Sequence, residues 1–342
     1  MKKLFLFMML FSVLHAGTKL SVVTTLSTYA DIARKVGGDR VDVHAIVKGN
    51  QDAHFVRPKP SYAVMLQQAD VFVTTGLDLE LWAPTIIDRS GNPNIRSGQP
   101  GFVAAHDGIE LLDKPTVLSR SEGGLHIYGN PHITTSPLNW KIIAENIVIG
   151  LEKNDPEGAA YYRERLKAFN EETDQRLFGA ELVKLMGGPL LTRLANKGTL
   201  IQFLKSKSYK GKKMIDYLGG WMKEGLSFRG KTIVAYHKNW IYFQHLFGLH
   251  VLDYVEPKPG IPPTPRHVKS LIEEMRKQNV RVLMAANYFS AEKVNDICDK
   301  VGAVPVMVPM GVGGAPGVDD VFALADYWVA HLKKVFEQVN AK

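Results

Sequence analysis

Short runs of consecutive apolar residues alternate with segments of helical period at both ends of this chain, and that alternation restricts the fold more than any other feature. Residues 19–24 (KLSVVT) read as a buried strand. In TLSTYADIARKVGGD, which follows, Tyr29, Ile32, Ala33 and Val36 fall at helical spacing before the stop at Gly37 and Gly38. Residues 41–47 (VDVHAIV) have strand composition, residues 61–69 (SYAVMLQQA) are helical, and ADVFVTTG is again a strand. The same grammar returns late in the chain: KTIVA at 231–235, then NWIYFQHLFGL and HVKSLIEEMRKQN as helices, VRVLMAA as a strand, SAEKVNDICDKVG as a helix and AVPVMV as a strand. Strands apolar on both faces need helices on both sides, which means mostly parallel sheets built from βα units. Between the two regions, residues 136–187 are helical text broken at Asp155–Pro156, long enough to span two bodies and stiff enough to limit them to a small closing motion.

The expected fold class is therefore α/β: two lobes, each a mostly parallel sheet flanked by helices, joined by one long backbone helix. The expected boundaries are 17–135 for the first lobe, 136–187 for the connector and 188–342 for the second lobe. Residues 88–100 and 119–135 read as loops rich in Gly, Pro, Ser and Asn. Residues 188–228 carry short helical segments and a lysine patch without an evident role, and no fixed-period repeat is visible.

Lys2 and Lys3 precede a run from 4 to 14 that is apolar apart from Ser12, and small residues follow at Ala16 and Gly17. This is the layout of a secretory signal peptide, expected at residues 1–16. The run falls short of the roughly 20 apolar residues that a membrane-spanning helix needs, and no later segment supplies them. The mature chain is expected in the periplasm or another extracytoplasmic compartment, with no transmembrane segment. Cys298 is the only cysteine, which excludes an intramolecular disulfide and any thiolate cluster for zinc or iron–sulfur. Its setting reads as the apolar face of a helix, hence a buried thiol. The formal charge is +8, and two of those charges leave with Lys2 and Lys3. The densest basic run is KSKSYKGKK at 205–213, a solvated surface or a contact for a partner or anionic lipid. No nucleic-acid recognition motif accompanies it, and no nucleic-acid partner is expected.

Of the eleven histidines, His15 is lost with the signal segment. His54 lies in KGNQDAHFVRPKPS between a strand and a helix, where open parallel sheets place ligands. His132 follows Pro131, which stiffens the backbone ahead of it, just before the long helical stretch. His237 follows the strand KTIVAY directly. Three neutral imidazoles converging in a cleft favour Zn²⁺ or another late transition ion over Mg²⁺ or Ca²⁺. His245 and His331 sit in helical text and read as packing or surface residues.

Five segments taken in order carry a family resemblance: QDAHFVRPKPSY, TTGLDLELW, NPHITTSPLNW, VAYHKNWIYFQHLFGL and EPKPGIPPTPRHVKSLIE. Together they resemble the periplasmic metal-binding proteins of zinc and manganese ABC importers, the cluster A-I solute-binding proteins. The resemblance implies a bilobal monomer that takes His54 and His132 from the first lobe and His237 from the second. It also implies Zn²⁺ as the transported ligand, with Mn²⁺ second, and the importer's membrane permease as partner. Related proteins often add an acidic ligand near the last strand, whereas residues 306–317 (VMVPMGVGGAPG) contain none, leaving water, Asp319, Asp320 or another side chain to complete the site. The family's His-rich loop is reduced to His126. Two rival readings are a two-lobed binding protein for an organic solute and a zinc-dependent hydrolase; no H-E-x-x-H helix supports the second.

Overall fold

The six apolar runs become strands and, with Phe102–Ala104 and His250–Tyr254, which the sequence pattern did not mark, form two four-stranded sheets, parallel throughout. The computed structural model describes residues 19–114, 128–256 and 260–341, so the expected signal segment and His126 lie outside the described residues. The first half runs β1 (Leu20–Leu26), α1 (Ser27–Gly37), β2 (Val41–Val47), α2 (Pro60–Gln67), β3 (Val71–Thr74), α3 (Ala83–Ser90) and β4 (Phe102–Ala104). A helical middle follows: α4 (Pro137–Asn154), α5 (Ala159–Phe178), α6 (Ala180–Met186), α7 (Gly188–Asn196), α8 (Leu200–Ser206), the small hairpin β5 (Ser208–Tyr209) and β6 (Lys212–Lys213), and α9 (Gly220–Glu224). The second half comprises β7 (Thr232–Ala235), α10 (Ile241–Phe247), β8 (His250–Tyr254), α11 (Pro265–Lys277), β9 (Val282–Ala286), α12 (Ala291–Val301), β10 (Val304–Val308) and α13 (Val321–Asn340).

The strand orders are β2-β1-β3-β4 and β10-β9-β7-β8. Read in chain order within each half, both are second, first, third, fourth, so the two halves share one topology although no repeat shows in the sequence. In such sheets the crevice beyond the carboxyl ends of the strands, where the order reverses, is the place for a ligand.

The helical text at 136–187 resolves into α4, α5 and α6 rather than one rod. Pro156 cannot continue α4, and the joint is a reversal: Lys141 on α4 pairs with Asp174 on α5 at 2.6 Å, and Glu152 with Arg163, so the two helices run antiparallel. Asp155 fixes the turn by accepting from Arg40 and from the Tyr162 hydroxyl at 2.6 Å. The long element that remains is α5, whose 20 residues span about 30 Å.

One apolar core runs through both halves, from Val22 and Tyr29 to Met284, Val308 and Phe336. Trp140, Trp240 and Trp328 are fully buried and meet within it, at ring-centroid separations of 6.4 Å (Trp140 to Trp328) and 5.6 Å (Trp240 to Trp328). The last helix, α13, packs on β10 but also on α1 of the first half. There Val321 donates its backbone N–H to Asp31, and Lys35 pairs with Asp320. Truncating a buried tryptophan costs about 3–5 kcal/mol, whereas a half-exposed ion pair is worth about 0–1 kcal/mol. The junction is therefore held by apolar burial, with the ion pairs setting its register.

Cys298 is buried on α12, where burial pushes its thiol up to about 12. At one point the halves approach so closely that only glycine fits. Gly49 accepts from the Gly311 N–H at 3.1 Å, and a Cβ at position 49 would lie 2.3 Å from the Val312 carbonyl.

Candidate metal centre

His54, His132 and His237 arrive from three separate segments and meet. One ring nitrogen of each lies within 4.8 Å of the others, and the ring centroids are 5.2, 5.9 and 5.8 Å apart. Three nitrogens bound to one tetrahedral zinc at 2.0–2.1 Å would stand about 3.3 Å apart, so a modest inward turn of the rings is enough to share an ion.

Each ring is aimed by an acceptor on its other nitrogen. Asp52 caps a short helical turn, Ala53–Phe55, accepting from the His54 backbone N–H at 3.0 Å and from His54 Nδ1 at 2.7 Å. Asn130 holds His132 in the same way just ahead of the turn Ile133–Thr135, with Oδ1 accepting from the His132 backbone at 3.0 Å and from His132 Nδ1 at 2.9 Å. Its amide orientation is fixed, because Nδ2 donates to the Lys238 carbonyl at 2.8 Å. His237 sits just past β7 with Nδ1 donating to the Glu256 carbonyl at 3.2 Å. All three acceptors lack a proton to give, so all three rings carry their hydrogen on Nδ1 and present the Nε2 lone pair inward.

The two first-half histidines thus use one device, an Asp or Asn two residues ahead of the imidazole (Asp52-Ala53-His54 and Asn130-Pro131-His132). Sequence reasoning missed Asp52, Asn130 and Glu256. The repeated Asx-x-His spelling was the available signal for the first two, while Glu256 contributes a backbone carbonyl that no side-chain pattern announces.

Further contacts lock the loops. Trp82 Nε1 donates to the Ala53 carbonyl at 2.7 Å, and Tyr242 donates its hydroxyl proton to the Asn130 carbonyl at 2.6 Å. Glu80, buried in the TTGLDLELW segment, accepts from the Thr25 and Thr75 hydroxyls and so ties the ends of β1 and β3 together at the switch point. Burial holds its carboxyl above the usual range despite those bonds. Burial would also raise Asp52, but the hydrogen bond from His54 overrides it and keeps that carboxyl below its ordinary value.

His132 and His237 are buried, at 5% and 3% exposure, and His54 is half-buried. A cavity of about 40 Å³ adjoins the rings, walled by Leu26, Gly49, Leu79, Tyr288, Met310 and Gly311. That holds a few waters at most and is far below the roughly 300 Å³ at which organic-ligand pockets begin. Asp320 is committed elsewhere, capping α13 and pairing with Lys35, and Asp319 is exposed; neither joins the histidine group among the described residues. His245 Nε2 donates to the Asn196 carbonyl on the surface, and His331 stacks on Tyr327.

Burial, followed by the charge of His54, brings the His237 imidazole down to about 4 from 6.5. A folded-state value below the unfolded one gives stability that is present above pH 6.5 and lost as pH falls through the folded value, because only the unfolded chain takes up the proton. Metal-free protein is expected to lose about 3 kcal/mol more between pH 7 and pH 4 than the His237→Gln variant does, read by urea unfolding. Parallel stability profiles for the two proteins would refute this assignment.

The ZnuA family, described as zinc-uptake complex component A, periplasmic, matches residues 22–176 and 204–335. Among curated proteins, the manganese ABC transporter substrate-binding lipoprotein PsaA of Streptococcus pneumoniae serotype 4 is 28% identical over 164 residues, 47% of this chain and 50% of that protein. The metal ABC transporter substrate-binding lipoprotein SsaB of Streptococcus sanguinis is 31% identical over 160 residues, 46% of this chain and 48% of that protein. The chain spans about half the length of the curated relatives it matches. Among solved structures, a zinc-bound ZnuA deletion mutant superposes with a TM-score of 0.66 at 20% identity, covering 93% of this chain and 98% of that one. A manganese-bound periplasmic metal-binding protein from Candidatus Liberibacter asiaticus gives 0.64 at 18% identity, covering 93% and 100%.

Proposed function

Since the chain belongs to the ZnuA family of periplasmic zinc-uptake components, we propose that it captures a divalent transition metal outside the cytoplasm, Zn²⁺ before Mn²⁺, and hands it to the permease of an ABC importer. The reading rests on one observation above the rest: three imidazoles, each with Nδ1 held by an acceptor, bring one ring nitrogen apiece within 4.8 Å of the others beside a cavity of about 40 Å³. His54, His132 and His237 serve as the ligands, with a water in the remaining position. In this reading a signal peptide at 1–16 directs export, and residues 17–135 and 188–342 form the lobes, joined by the helices of 136–187.

An all-imidazole triad favours zinc, because borderline-soft nitrogen suits the later ion while manganese prefers oxygen donors. The relatives are named as binding components of transporters rather than enzymes, and the chain is a binding protein, not a hydrolase. The carboxylate nearest the rings, Asp52, is already engaged with His54 instead of being free to activate water. The small cavity disfavours the organic-solute reading.

Chelator-stripped protein titrated with Zn²⁺ and Mn²⁺ against a chromophoric competitor is expected to take one zinc per chain, with manganese weaker by roughly a hundredfold or more. Tighter manganese binding would overturn the choice of metal, and absence of binding by both would overturn the function.

A further inference from the structure

The lysine patch at 205–213 is not used by the metal centre, and its structure gives it a use. Leaving α8, the chain forms β5 and β6, a two-stranded hairpin with Ser208 opposite Lys213 and Tyr209 opposite Lys212. The two turn residues, Lys210 and Gly211, have φ of 48° and 77°. This is the left-handed pair that a tight hairpin requires, and at its first position Asn, Asp or Gly would rest more easily than lysine. A hairpin this short has no core of its own. It leans on Tyr217, whose ring meets that of Tyr209 and lies under Lys212 Nζ at 4.3 Å.

Lys205, Lys207, Lys210, Lys212 and Lys213 are all exposed. Among the described residues none of these five ammonium groups is ion-paired; two lie over tyrosine rings. The helices leading to the hairpin extend the charge, with eight basic residues and one acidic residue, Glu181, between 180 and 213. Much of this lead-in, residues 177–203, falls in the stretch that the family match leaves out. Tyr209, 41% exposed at the tip, adds an amphipathic ring of the kind that settles at a membrane–water boundary.

We propose that this hairpin docks the protein on the surface of an anionic phospholipid bilayer. Clustered, unpaired ammonium groups suit a diffuse field of headgroup phosphates, and each lysine near such a surface strengthens binding by about fivefold. Bidentate recognition of one defined phosphate would call for arginine forks, which the hairpin lacks. The proposal takes from the functional reading only that the protein works outside the cytoplasm beside a membrane, and it is independent of the metal.

The test is flotation of the chain from Gly17 onward, which carries every described element, with vesicles of phosphatidylcholine alone or with roughly a third phosphatidylglycerol. Binding is expected only to the anionic vesicles, with release at about 0.5 M salt. The variant Lys207→Gln/Lys210→Gln/Lys212→Gln is expected to bind roughly a hundredfold more weakly. The charge-matched Lys269→Gln/Lys277→Gln/Lys293→Gln, exposed elsewhere, should bind like the unaltered chain. No binding to anionic vesicles, unaltered binding by the hairpin variant, or an equal loss in the remote variant would each overturn the proposal. Zinc stoichiometry should be unchanged in the hairpin variant, and vesicle binding unchanged in His237→Ala, so failure of either reading shows separately.

Discussion

Alanine at position 237 is expected to weaken zinc binding by at least about a thousandfold, measured by competition with a chromophoric chelator. The ring is 3% exposed, and among the described residues the ligand group is His54, His132 and His237. In the proposed site, removing one of three imidazoles takes away a third of the ring nitrogens that would hold the ion. His54→Ala and His132→Ala should behave alike. His331→Ala, which removes a ring stacked on Tyr327, should leave the titration unchanged. Wild-type affinity in any of the three site variants would remove that residue from the proposed site, and wild-type affinity in all three would end the metal-centre reading.

Replacing Asn130 should produce the next largest effect, and it acts on two properties at once. The side chain sets the His132 tautomer through Oδ1 and bridges to the second half through the Lys238 carbonyl. Asn130→Ala is expected to lower zinc affinity by about 10–100-fold and to cost about 2–3 kcal/mol in unfolding free energy, because buried donors and acceptors lose their partner. Asn130→Asp separates the two. A carboxylate still accepts from His132 Nδ1 but cannot donate to Lys238, so affinity should stay within about tenfold of wild type while stability falls. An alanine variant with wild-type affinity would show that the tautomer is set by something else.

The fold was more legible than its assembly. The run VDVHAIV at 41–47 is a strand over just those residues, because valines alternating with polar residues and closing on Ile46 and Val47 suit a strand bounded by turns. β8 escaped notice because HVLDY mixes charge with apolar residues, as suits a half-buried edge strand. The break at Asp155–Pro156 was visible, but a proline says only that a helix stops; the reversal comes from Arg40 and Tyr162 closing on Asp155 and from α5 packing along α4. At the site, the placement of His54 and His237 at strand-to-helix junctions singled them out, and Pro131 marked His132. Their orienting partners were not singled out, since hydrogen bonds to Nδ1 leave little trace in composition. Gly311 and Gly314 read in the sequence only as part of a stretch lacking an acid, whereas in the structure they admit the backbone of Gly49.

The continuity of the core from Val22 to Phe336 limits how the two halves can move against each other. Swinging the halves apart like a pair of jaws would part Trp140 from Trp328 and wet both rings, which costs apolar burial. Under the proposed function the expected movement is a local latch, with the 48–55 segment lifting from Gly311, where Gly49 now accepts its N–H, and carrying His54 away from the other two rings.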